Sequence, residues 1–219
     1  MKRTNKLLSL VFVLAVVVLT ITFSIGLPIY VRPFYYAHVD ALDLPGKWGV
    51  ERELIIEAYD EVLDYLTIDG REFGTGKLAH SEAGKGHFED CKVLFDLNRN
   101  ALIISFAALV LLLLFSKIGV VRLARPFGMP LSSVAGASTL VLFASLAALV
   151  SQNFSKAFTI FHKIFFPGKV NWVFNPYLDP IILFMPQKFF MDCAILICAS
   201  ILLISLLLII RGIAKRNKM

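Results

Sequence analysis

LLSLVFVLAVVVLTITFSIGLPI, residues 7–29, carries no charged side chain and exceeds the roughly 20 residues that a helix needs to cross a hydrocarbon core. Three further apolar runs of this kind follow, at 101–118, 131–150 and 189–210, and polar residues are almost absent from them. With 58% hydrophobic residues and a mean hydropathy of +0.75, the chain lies outside the range of soluble domains. The expected fold class is therefore an α-helical polytopic membrane protein with four transmembrane helices. The first run is too long for a cleaved signal core and lacks a small-residue processing site, so it reads as a retained signal anchor.

Charge sets the expected orientation. Lys2, Arg3 and Lys6 precede the first run; Lys117, Arg122 and Arg125 lie between the second and third; Arg211, Lys215, Arg216 and Lys218 follow the fourth. No acid occurs in these three segments. All 16 acids fall in 30–100, 151–188 and the head of the fourth run. The positive-inside rule then predicts a cytoplasmic N-terminus (1–6), loop (119–130) and tail (211–219), with 30–100 and 151–188 outside the plasma membrane. The net charge of +6 is thus a topological signal, and nothing supports nucleic-acid binding.

The first outer segment, 30–100, is short for burying a core of its own and must lean on the membrane or on the second outer segment. Residues 51–66 place Ile55, Tyr59, Val62, Leu63 and Leu66 at helical spacing, with Glu51 and Glu53 in the first turn, where the helix dipole favours acids. Asp43-Leu44-Pro45-Gly46 reads as a turn. Five glycines between 70 and 86 predict a loop or irregular hairpin, making this segment an α+β or irregular domain. Asp90 is expected to N-cap a helix running into the second span, with His87 just ahead of it.

The second outer segment contains FSKAFTIFHKIFF, residues 154–166. Phe154, Phe158, Phe161 and Phe165 recur at helical spacing, while Ser155, Lys156, Thr159, His162 and Lys163 are assigned to the other face. Such an interfacial helix holds an imidazole at the depth of lipid ester bonds. His87 and His162 are thus each placed near the outer interface. If they meet, one can serve as general base and the other can stabilise developing charge. The plainer alternatives are that His162 only wets an interfacial helix, and that the two histidines lie on separate faces.

Other constellations carry less. Cys193 and Cys198 sit inside the fourth run as apolar filler, and three cysteines make no disulfide framework. Cys91 could pair with a histidine as a nucleophile. His80, His87, Glu89, Asp90 and His162 could form a zinc site, but no H-E-x-x-H or C-x-x-C spacing supports one. No glycine-rich phosphate loop and no G-x-S-x-G elbow occurs. No cofactor is expected.

Phe161-His162-Lys163-Ile164-Phe165-Phe166-Pro167-Gly168, continued by Trp172, Phe174, Pro176, Asp179-Pro180, Pro186 and Phe189-Phe190, resembles the second outer loop of the lipoprotein intramolecular transacylases (Lit). His87-Phe88-Glu89-Asp90-Cys91-Lys92, with Leu94-Phe95 and Asn98-Arg99, resembles that family's first-loop motif. The likeness spans the whole chain in length and loop order. It departs from the family pattern at Cys91, an aliphatic position there, which counts against a cysteine nucleophile.

The resemblance implies an acyltransferase acting on bacterial lipoproteins whose N-terminal cysteine bears a diacylglyceryl group. Its reaction moves the sn-2 acyl chain to the α-amine and leaves a lyso-form N-acyl lipoprotein. His162 is then the expected general base and His87 its catalytic partner at the outer leaflet. Lys92 or Arg99 would support the oxyanion, Asp90 would orient His87 or only cap a helix, and Trp172 and Phe174 would line the lipid site. Expected partners are diacylglyceryl lipoproteins and membrane lipids, with no obligate protein partner. The competing function classes are a non-enzymatic receptor or assembly factor with pH-sensing histidines, and a zinc-dependent membrane hydrolase. An acyl-imidazole on His162 is the mechanistic competitor to direct transfer.

Overall fold

The computed structural model describes residues 4–150 and 153–216; Lys2, Arg3, Ser151 and Lys218 lie outside them. The described residues are mostly helical, with two isolated bridges and no strand. In chain order the helices are α1 (Lys6–Tyr30), α2 (Pro33–Ala41), α3 (Leu44–Trp48), α4 (Arg52–Thr67), α5 (Glu82–Lys117), α6 (Leu131–Val150), α7 (Phe154–Phe165), α8 (Ile181–Phe184) and α9 (Gln187–Arg216). They form two compact units.

The first unit comprises Met1–Leu27, Asn98–Leu149 and Leu196–Met219. α1, α5 and α9 each contain a stretch long and apolar enough to cross a membrane. α6 has the bounds expected of the third span, and its described side chains form a shorter apolar helix, Leu131–Ala144. Asn5 caps α1 by accepting from Leu8 N at 3.0 Å, and Ser9 Oγ accepts from Ala124 N at 2.7 Å. Two hydroxyls inside α1 turn back on its own backbone, Thr20 donating to the Val16 carbonyl and Thr22 to the Val18 carbonyl, both at 2.8 Å. α6 and α9 meet through small residues. A Cβ at Gly136 would stand 2.7 Å from the Ser205 carbonyl oxygen, and Ser133 Oγ donates to Ile209 O at 3.3 Å. Small residues of α6 therefore serve packing within the chain.

The second unit, Pro28–Leu97 with Val150–Ile195, joins the two outer segments around one core. Ile55, Ala58, Tyr59, Val62, Leu63 and Leu66 form the inner face of α4, as their spacing dictates. They pack against Tyr35 and Val39 of α2, Phe88 of α5, Ile181, Phe184 and Met185 of the second outer segment, and Phe189 of α9. Tyr35 stacks on Tyr59 with ring centroids 3.5 Å apart, and its hydroxyl donates to the Phe184 carbonyl at 2.9 Å. The short first segment thus completes its core with the second, each buried aromatic or aliphatic side chain contributing about 1.5–3 kcal/mol.

Three local expectations change. The α+β alternative gives way to helices joined by an irregular segment at 68–81, with no strand among the described residues, and Asp43-Leu44-Pro45-Gly46 opens α3, Asp43 accepting from Gly46 N at 3.2 Å. Gly84 and Gly86 lie inside α5, because that helix begins at Glu82. Asp90 is consequently interior to α5 and is no N-cap. Ser81 holds that role, its Oγ accepting from Gly84 N at 3.0 Å, and the buried Asp179 carboxylate accepts from Ser81 N and Oγ, both at 2.8 Å. Gly84 is the residue that admits Asp179 so closely, since a Cβ there would collide with the carboxylate.

Candidate active site

α5 and α7 supply the two histidines. Asn153 starts α7 by accepting from Lys156 N at 3.0 Å, and Gly168, at φ +75°, turns the chain back after Phe166. His162 stands four residues beyond Phe158 and four before Phe166, so all three fall on one row of the helix and its continuation. His162 is accordingly buried, 6% exposed, and does not sit on a solvated face opposite the phenylalanines. Ile160, Phe161, Ile164 and Phe165 are the exposed large apolar residues of α7. His87, also 6% exposed, lies in the second turn of α5.

The two imidazoles meet, with ring centroids 5.7 Å apart. Trp172 stacks on His162 at 4.5 Å, Phe158 lies 4.3 Å from it, and Phe166 and Phe174 present edges to His87 at 5.1 and 5.5 Å. His162 Nδ1 donates to the Phe158 carbonyl at 2.7 Å. A carbonyl only accepts, so the ring proton of neutral His162 resides on Nδ1 and leaves Nε2 as a base. Around His87, Cys91 Sγ stands 3.4 Å from Nε2, and Nδ1 is buried without a hydrogen-bond partner.

Burial sets the protonation of this cluster. It lowers His87 to about 4, assisted by neighbouring His162 and by Lys169 against the opposing pull of Asp90. Burial likewise lowers His162 and outweighs the Phe158 hydrogen bond. Both rings are neutral at pH 7. The Cys91 thiol is pushed up to about 12 by burial, with Asp90 adding to the effect, so it is no thiolate at neutral pH. Burial pulls the Asp90 carboxyl upward, but hydrogen bonds from Lys169 and Asn171 prevail and hold it below its ordinary range.

The remaining expected residues divide. Trp172 and Phe174 join the histidines. Asp90 pairs with Lys169 and accepts from Asn171 Nδ2 at 3.2 Å. Lys92 turns away, donating to the Tyr65 carbonyl at 2.7 Å with its ammonium 5.3 Å from the Tyr65 ring centroid. Arg99 belongs to the other compact unit. His80 lies against Phe73 and Thr75, and among the described residues no three His, Cys, Asp or Glu side chains converge in a way that could hold a metal ion. Lys169 and Asn171 were not anticipated, because a lysine and an asparagine after Gly168 carry no periodic signal. A third histidine, His38, is likewise unanticipated in its pairing: Nε2 lies 2.8 Å from Asp192 and Nδ1 2.9 Å from the Phe34 carbonyl.

Comparisons with known proteins bear on the fold and the family. A protein of Aquifex aeolicus (strain VF5), described as uncharacterised, is 29% identical over 173 residues, covering 78% of this chain and 77% of its own. The in meso structure of the membrane integral lipoprotein intramolecular transacylase Lit from Bacillus cereus superposes with a TM-score of 0.83 at 26% identity, covering 97% of each chain. Two histidine-substituted variants of that protein, at 24% and 23% identity and a TM-score of 0.79 each, share the fold. The family model for lipoprotein intramolecular transacylase Lit matches residues 10–190, and the chain belongs to that family.

Proposed function

We propose that this protein moves the sn-2 acyl chain of a diacylglyceryl-cysteine lipoprotein to the cysteine α-amine. The observation that carries the reading is the pair of buried, neutral imidazoles, one with its Nε2 free and the other with an unpartnered Nδ1. An α-ammonium, ordinarily with pKa about 7.7–8.0, first loses a proton and becomes nucleophilic. The amine nitrogen attacks the sn-2 ester carbonyl, and His162 Nε2 takes the second proton as the C–N bond forms. The resulting imidazolium then protonates the sn-2 oxygen as the C–O bond breaks. An amide and a free glyceryl hydroxyl result, with no acyl-enzyme.

His87 serves the oxyanion. With the Cys91 thiol donating to Nε2, the ring proton sits on Nδ1, which is then a preorganised donor in a water-poor site. Holding amine and ester within one substrate supplies effective molarity, which can be worth about 7–11 kcal/mol. Trp172, Phe174 and Phe166 form the apolar wall. The exposed Phe161, Ile164 and Phe165 of α7 support an interfacial seat at the outer leaflet of the plasma membrane, with four spans and both termini cytoplasmic.

The test is mass spectrometry of lipoprotein N-terminal lipopeptides from bacteria lacking lipoprotein N-acylation and expressing this protein. N-acyl, lyso-glyceryl cysteine is expected. Unchanged diacylglyceryl cysteine beside abundant protein would defeat the reading.

A further inference from the structure

The Oδ1 atom of Asn171 is buried and has no hydrogen-bond partner. Its amide is not free to turn over, because Nδ2 donates to Asp90 Oδ2 at 3.2 Å and a flip would set the carbonyl oxygen against a carboxylate. The Oδ1 atom is therefore a fixed acceptor, and a buried acceptor left unpaired is unfavourable unless a ligand completes it.

Asn171 adjoins the histidine cluster on two sides. The next residue in the chain, Trp172, stacks on His162. Across the gap lies the turn of α5 that carries His87: a Cβ built on Gly86 would reach 3.7 Å from Asn171 Nδ2, and Asp90 follows His87 by three residues. His87 Nδ1, the other unpartnered buried atom here, completes a complementary pair. An N–H acceptor and a ring nitrogen that can donate suit a substrate presenting an amine and a carbonyl.

We propose that Asn171 Oδ1 accepts an N–H from the α-amine of the N-terminal cysteine, fixing the nitrogen while its lone pair faces the ester carbonyl. The proposal rests on the transacylase reading and assigns the amine subsite within it. An amide oxygen suits this task better than a carboxylate. A carboxylate touching the amine would favour the ammonium, which cannot attack, whereas the neutral amide orients nitrogen with less bias toward the charged form. Asp90 holds the amide from behind, and Lys169 neutralises its charge.

The experiment uses the purified full chain in detergent, with a synthetic diacylglyceryl lipopeptide as substrate. Two diether analogues that cannot transfer an acyl group serve as competitive inhibitors, one with the α-amine and one with hydrogen in its place. Wild type is expected to prefer the amine analogue by about tenfold, the value of one buried neutral hydrogen bond. N171A and N171S should bind both analogues alike while keeping the wild-type melting temperature. N171D should shift the rising limb of the pH–rate profile to higher pH. Equal affinity of wild type for the two analogues, or undiminished discrimination by both variants, would overturn the inference. Failure of wild type to convert the diester lipopeptide would instead indict the transacylase reading.

Discussion

The rings of His87 and His162 face each other at 5.7 Å, tilted by 31°, although 75 positions separate them in the sequence. Phe158 occupies one nitrogen of His162 and Cys91 approaches one of His87, so each ring is left with a single functional nitrogen. If they act together, His162→Gln and His87→Gln should each lower kcat by about 10²–10⁴ without altering membrane abundance. The double variant should be little worse than either single one, because groups acting as a unit are not additive. Full additivity in steady-state kinetics would mean that the rings act apart.

The pH dependence follows from burial. Both histidines titrate below their ordinary range, His87 at about 4, so their protonation does not limit the rate near neutrality. The rate should climb through about pH 7.7–8.0 with the substrate amine. A limb at 6.5 that disappears in His162→Gln would contradict this.

The same shift links to stability. Between about pH 4 and 6.5 the unfolded chain binds a proton that folded His87 refuses, so stability falls as pH falls through that window. The loss attributable to His87 is about 3 kcal/mol. His87→Leu should flatten the acid side of a plot of unfolding midpoint against pH, and an unchanged slope would show that the ring is not buried.

Gly84 offers a test of sign. Alanine is the better helix former by about 1 kcal/mol, so Gly84→Ala would stabilise α5 if only propensity counted. Its methyl group would displace Asp179 from Ser81 and press on Phe174, whose edge faces His87. A lower melting temperature, by the equivalent of about 1–3 kcal/mol, and slower turnover are expected. Thermal denaturation in detergent decides between the two.

Cys91→Ser keeps a donor for His87 Nε2 and should retain most of the wild-type rate, since a buried, protonated thiol contributes no nucleophile. Abolished transfer with intact folding would revive a cysteine mechanism.

Much of this was legible in the sequence, and the failures share a physical cause. α4 and α6 follow from hydrophobic period and length, and α7 from the helical spacing of its phenylalanines. What escaped depended on partners far along the chain. Asp179 reaches across 98 positions to fix the start of α5, which turned two glycines from loop signals into helix residues and made Asp90 interior. His162 was assigned to a polar face by residue type, although its four-residue spacing to Phe158 places it on the buried row. Lys92 found a backbone carbonyl at Tyr65, a choice no local pattern encodes.

The most direct measurement gives purified protein an equimolar mixture of two synthetic lipopeptides, one with a ¹³C-labelled sn-2 acyl chain and one unlabelled with a mass-distinct peptide. Mass spectrometry should find the label only as an amide on its own peptide, with the sn-1 ester intact. Label on the other peptide, label released as free fatty acid, or transfer of the sn-1 chain would contradict intramolecular sn-2 transfer.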